Sequence, residues 1–159
     1  VWPPTDFPTL ATFHVPLLNT MILVISGVSL TWAHFCLCLG QRWNTICALV
    51  YTLILAIAFT YFQYTEYCEA RFSICASVYG STFFMTSGFH GSHVMIGTVF
   101  LFVALQRVKK FHFTPQHHFG FEAAAWYWHF VDIVWLFLFL SMYLTVDCIA
   151  VDSQDLCVE

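Results

Sequence analysis

The stretch His117–Leu140, HHFGFEAAAWYWHFVDIVWLFLFL, opens on paired histidines and a single acid, Glu122, and then turns into an apolar, aromatic-rich run. His129 and Asp132 interrupt that run near its middle. Ionisable side chains are expensive at membrane depth, so such residues are either satisfied by neighbours or placed there for function. The rest of the chain shows whether this run is at membrane depth at all.

Of 159 residues, 60% are hydrophobic and only 9% charged. An average soluble domain carries about 25% charged residues, so this chain lacks the charge to solvate an ordinary surface. Its charges are also spaced far apart: none lies between Asp6 and Arg42, between Arg42 and Glu66, or between Arg71 and Arg107. After Glu122 only Asp132 interrupts the apolar run before Asp147. A hydrocarbon core of ~30 Å takes about 20 helical residues to cross. Four such windows predict an all-α, polytopic membrane bundle with four transmembrane helices, at about 16–38, 43–67, 77–106 and 121–146. Residues 1–15 form an outward segment and 147–159 an acidic outward tail. Pro16 suits a first helical turn, and Gly40 a helix stop. Five Lys and Arg in the whole chain give a nucleic-acid partner no electrostatic footing.

Basic residues in short loops mark the inner side. Arg42 lies in the first connection, and Arg107, Lys109 and Lys110 in the third. The N-terminal segment, the second connection (Glu66, Glu69, Arg71) and the tail are acidic on balance, and they read as outside. Trp43, Tyr64, Tyr67, Tyr79, Trp126 and Tyr143 stand near helix ends, where an interfacial aromatic belt is expected. Gly88 and Ser92 have the small-xxx-small spacing that lets membrane helices approach closely.

At ~1.5 Å per residue, His90 lies about 16 Å below the outer end of the third helix. His129 and Asp132 lie about 12 and 16 Å above the inner start of the fourth. All sit near the midplane, and His90/His93 and His129/Asp132 each share a face through i, i+3 spacing. Three readings of a His90–His93–His129–Asp132 cluster are open: structural glue between helices, a haem held axially by His90 and His129 in a stand-alone b-type cytochrome, or a proton relay. His34, near the inner end of the first helix, has no clear mate. His112, His117 and His118 have no cysteine or carboxylate beside them at structural-site spacing, and Cys36-x-Cys38 reads as inert packing. No metal site is expected. No catalytic centre is expected either.

The motifs HVPLLNTMILVISGVSLTWAH (14–34), FTYFQYTEYCEA (59–70), SVYGSTFFMTSGFHGSHVMIGTVFL (77–101) and HHFGFEAAAWYWHFVDIVWLFLF (117–139) resemble subunit III of the haem–copper cytochrome c oxidases. Trp2–Pro4, WPP, resembles the loop before that family's fourth helix. The resemblance runs from Trp2 to about Tyr143 and matches the last four of the family's seven helices. It implies a mitochondrial inner-membrane location with both ends on the intermembrane-space side. It also implies a non-redox subunit that packs against subunit I, has subunit II in the same complex, binds phospholipids such as cardiolipin or phosphatidylglycerol, and supports proton uptake. Haem and copper would then lie in partner subunits, and the His–Asp cluster would be structural. Lipid contacts carry over to Arg107, Lys110 and His112, in RVKKFH. Ser92 stands where the family commonly has leucine, and Phe35 where it commonly has histidine. The first three family helices are missing from this sequence, and the expectation is a separate polypeptide supplying them. Cys68, Cys75, Cys148 and Cys157, all on the predicted outer side, are candidates for one or two disulfides.

Overall fold

The computed structural model describes residues 15–69, 78–114 and 116–144. Within them lie four long helices: α1 (Val15–Cys38), α2 (Arg42–Glu69), α3 (Val78–Lys109) and α4 (Phe119–Leu138). Each is long and apolar enough to cross a membrane. α1 packs on α2, α2 on α3, α3 on α4, and α4 back on α1. The ends of α1, α2 and α3 lie within three residues of 16–38, 43–67 and 77–106; the far end of the fourth helix differs. There the α-helix stops at Leu138 and a π-helical turn, Phe139–Leu144, continues it.

The helix ends follow from local chemistry. Pro16 sits in the first turn of α1, where a missing N–H costs nothing. At the other end Gly40 takes φ 72°; its N–H reaches Leu37 O at 3.0 Å, and that of Gln41 reaches Cys36 O at 2.9 Å. This is a Schellman cap, and glycine adopts its left-handed residue without a Cβ penalty. α3 ends on the same pattern with Phe111 in the left-handed position, φ 62°, and the His112 N–H on Arg107 O. The Phe111 ring lies under the Arg42 guanidinium, whose Nε donates to Val108 O at 3.2 Å. The two basic connections are therefore gathered at one end of the bundle, as the charge pattern implied.

In α3 the close packing falls at Gly97, against Trp128 and Tyr127, and not at the Gly88/Ser92 pair. A Cβ at Gly88 or Gly91 would meet nothing within 4 Å, and Ser92 is exposed. A second seam of buried small residues joins Ser26, Ser29 and Ala33 of α1 to Ala48, Thr52 and Ala56 of α2. Ser29 and Thr52 share a 2.7 Å hydrogen bond between the two helices. Small side chains bring backbones together where lipid supplies no hydrophobic drive. Their hydroxyls also bond back to carbonyls one turn earlier, as Thr52 does to Ala48 O at 2.9 Å, so the hydroxyls of Ser26, Ser29 and Thr52 are not left bare. The core is completed by large rings: Trp128, Trp135, Phe59, Phe83 and Phe121 are fully buried.

Candidate functional site

The four polar residues predicted to cluster at mid-membrane are separated by α4 into distinct pairs. His90 of α3 is buried between Phe59 and Trp135 and its Nε2 donates to Val131 O at 3.1 Å. His93, one turn on, meets the Tyr127 hydroxyl at 2.8 Å through Nδ1. His129 and Asp132 lie on another side of α4, facing α1. His129 Nε2 is 3.4 Å from the Thr31 hydroxyl, and its Nδ1 is 4.0 Å from Asp132 Oδ2. A Cβ on Gly27 of α1 would stand 2.6 Å from that same Oδ2. Asp132 therefore occupies the notch that this glycine leaves.

The i, i+3 spacing placed each pair on one face correctly. It carried no information about the angle between the faces of two different helices, and a shared cluster of all four does not form. The axial haem pair fails for the same reason. His90 gives its Nε2 to a backbone carbonyl, His129 points at α1, and the apolar groove between α3 and α4 is lined by His90 and His93 but not by His129.

Two further indole donors tie α4 to α1: Trp128 Nε1 to Ser26 Oγ at 3.0 Å, and Trp135 Nε1 to Thr20 Oγ1 at 3.1 Å. Near the end of the bundle opposite the basic connections, Glu66 is not in a solvated loop as the charge count suggested. It lies in α2, 4% exposed, and accepts the Tyr143 hydroxyl at 2.8 Å. Tyr143 is thereby buried rather than part of an aromatic belt, whereas Trp43, Tyr64 and Trp126 are exposed as a belt requires. Tyr67 is half-buried, and Tyr79 has no described side chain. The signal for Glu66 was available: Gln63 and Glu66 share a face with Phe59, one helical turn apart.

At the basic end, Arg107 and His112 border one groove with Phe113, Gln116, His117 and Phe119. Arg107 also lies against the Phe113 ring, 5.4 Å from its centroid. Lys110 is exposed nearby but does not line the groove. Beside that groove the expectation that His34 has no mate is overturned. Its Nε2 lies 3.4 Å from His118 Nε2, 3.8 Å from Cys38 Sγ and 3.6 Å from Glu122 Oε1. Linear spacing hid this, because α1 and the start of α4 are more than eighty residues apart in sequence. Of the candidate disulfide cysteines, Cys68 is exposed and unbridged among the described residues; Cys75, Cys148 and Cys157 lie outside them.

Comparison with known proteins sets this geometry in a lineage. Residues 1–146 match the family model described as cytochrome c oxidase subunit III. Curated cytochrome c oxidase subunit 3 proteins are similar throughout: that of Gallus gallus is 62% identical over 142 residues, covering 89% of this chain and 54% of the relative. That of Pelomedusa subrufa is 59% identical over 143 residues, covering 90% and 55%, and that of Oncorhynchus clarkii 59% identical over 142 residues, covering 89% and 54%. The chain spans about half the length of the curated relatives it matches. With a family match over residues 1–146 and about 60% identity to its members, the chain belongs to the cytochrome c oxidase subunit III family.

Proposed function

We propose that this chain works as part of subunit III of a terminal respiratory oxidase, the proton-pumping enzyme that passes electrons from cytochrome c to O2. In this reading it carries no redox centre. It packs against subunit I, shares the complex with subunit II, and helps sustain proton uptake, while haem and copper reside in those partners. The observation that carries the reading is the match of residues 1–146 to the family, at about 60% identity to its curated members.

Two features of the bundle support a scaffold and lipid-binding role. The polar groups at depth are largely engaged with one another across helices, so they hold the bundle together. The outward faces carry large apolar side chains, among them Val28, Ile54, Ile57, Phe89 and Ile133, which suit lipid tails and neighbouring subunits. The basic end, with Arg107, Lys110 and His112, suits anionic headgroups of the cardiolipin or phosphatidylglycerol class. By the same charge rule both chain ends face the intermembrane space of the mitochondrial inner membrane.

The test is purification of the intact oxidase in mild detergent, followed by mass spectrometry and an absorption spectrum of each component. Expected is one copy of this chain per copy of subunits I and II, with no haem band following this chain when it is separated. A chain that migrates apart from the oxidase overturns the reading. So does a reducible haem band that stays with it and disappears in His129→Ala. The same mass spectrum reads whether the helices that precede this region in the relatives travel on this polypeptide or on a second one.

A further inference from the structure

We propose that His34, Cys38, His118 and Glu122 form a tetrahedral binding site for a thiophilic divalent cation of the zinc class, at the basic end of the bundle. The four residues are two i, i+4 pairs, His34/Cys38 on α1 and His118/Glu122 at the start of α4, each presenting its donors on one helix face. The imidazole Nε2 atoms of His34 and His118 lie 3.4 Å apart. Cys38 Sγ is 3.8 Å from each of them. Glu122 Oε1 is 3.3 Å from His118 Nε2 and 3.6 Å from His34 Nε2.

Tetrahedral zinc binds His at about 2.0–2.1 Å, carboxylate at about 2.0–2.2 Å and thiolate at about 2.3 Å, so its ligand atoms stand about 3.4 Å apart for N···N and N···O and about 3.6 Å for N···S. The five separations above fall within ~0.3 Å of that figure; His34, Cys38 and His118 already gather their donor atoms within 4.8 Å of one another, and the Glu122 side chain has to turn toward Cys38 to complete the fourth vertex.

A second arrangement points the same way. His118 Nδ1 is 3.3 Å from Thr114 O, a carbonyl that accepts the Nδ1–H. This leaves the Nε2 lone pair directed at the cluster, the tautomer that metal-bound histidines keep through an outer-shell acceptor. His34 is held in place by stacking on Phe121, 5.8 Å between centroids with the rings 18° from parallel. Two imidazole nitrogens facing each other at 3.4 Å satisfy at most one hydrogen bond between them, whereas a cation satisfies both. Cys38 is exposed, so an ion has a route in. On binding, the thiol gives its proton to water and the thiolate bonds the metal; with Glu122 ionised, the two negative ligands balance a 2+ charge. Such an ion would fasten the inner end of α1 to the turn that launches α4.

The full chain in detergent, stripped with a chelator, is titrated with Co2+ as a spectroscopic stand-in for zinc. The expected result is one Co2+ per chain, with a thiolate-to-cobalt charge-transfer absorption that Zn2+ abolishes by displacement. That absorption is lost in Cys38→Ser and kept in Cys36→Ser. His34→Ala and His118→Ala weaken binding by more than the about 10- to 100-fold that loss of an outer-shell partner costs. In parallel, Zn2+ slows alkylation of Cys38 in the unsubstituted chain, read by peptide mass spectrometry, while Cys47 and Cys68 react as before. Absence of saturable Co2+ binding overturns the proposal. So does a charge-transfer band that survives Cys38→Ser, or alkylation of Cys38 that Zn2+ leaves unchanged.

Discussion

Replacing Gly27 by alanine tests the α1–α4 contact at mid-membrane directly. The new Cβ would stand 2.6 Å from Asp132 Oδ2, 3.6 Å from His129 Nδ1 and 3.7 Å from Asp132 Cγ. A non-bonded pair is at its optimum near 3.5–4.0 Å, so the carboxylate must move by about 1 Å. It has little room to do so, since the Asp132 side chain is only 12% exposed. Overpacking of this kind costs about 1–3 kcal/mol. Against it stands the helix-propensity gain of Gly to Ala, about 1 kcal/mol. In the unsubstituted chain Gly27→Ala should therefore be neutral to destabilising, by up to about 2 kcal/mol. In an Asp132→Ala background the obstruction is gone and only the gain remains, so the same substitution should stabilise by up to about 1 kcal/mol. Asp132→Asn keeps the shape and should keep the penalty, which separates sterics from charge. The assay is unfolding in mixed micelles of mild detergent and SDS, followed by helical circular dichroism for all six chains of the cycle. Additive effects, with a coupling below about 0.5 kcal/mol between positions 27 and 132, would refute the placement of Asp132 in this notch.

Gly97→Ala brings its Cβ to 3.0 Å from the rigid Trp128 indole and 3.2 Å from Tyr127, and after the same helix gain should be neutral to destabilising by up to about 2 kcal/mol in the same assay. Gly88→Ala and Gly91→Ala meet open space and should be neutral or stabilising by about 1 kcal/mol in the isolated chain; destabilisation by either would show that this face packs within the chain. Tyr143→Phe removes the donor to the buried Glu66 carboxyl and should cost about 1–3 kcal/mol, with Glu66→Ala in the same background adding less than it does alone. Combining Arg107→Ala, Lys110→Ala and His112→Ala should reduce the anionic phospholipid retained in native mass spectrometry, at about 1 kcal/mol per basic residue lost; undiminished retention would remove these residues from the headgroup site.

Composition and charge spacing alone pointed to the four helices long and apolar enough to cross a membrane among the described residues, and to the two basic connections sharing an end. Those properties are set by local free energies: uncompensated charge is excluded from hydrocarbon, and backbone groups must close their hydrogen bonds within a helix. Gly40 and Pro16 were legible for the same reason, since their backbone preferences act within one turn. Which polar residue meets which was decided only by the tertiary structure. His90 and His129 share a depth yet face different neighbours, because depth is a property of one helix and azimuth depends on the angle between two. Glu66 reads as a loop acid until Tyr143 arrives from the far end of the chain to bind it. His34 and Cys38 read as isolated until the α4 entry turn brings His118 and Glu122 beside them. Sequence spacing reports the face of a helix; the packing of the helices decides what that face meets.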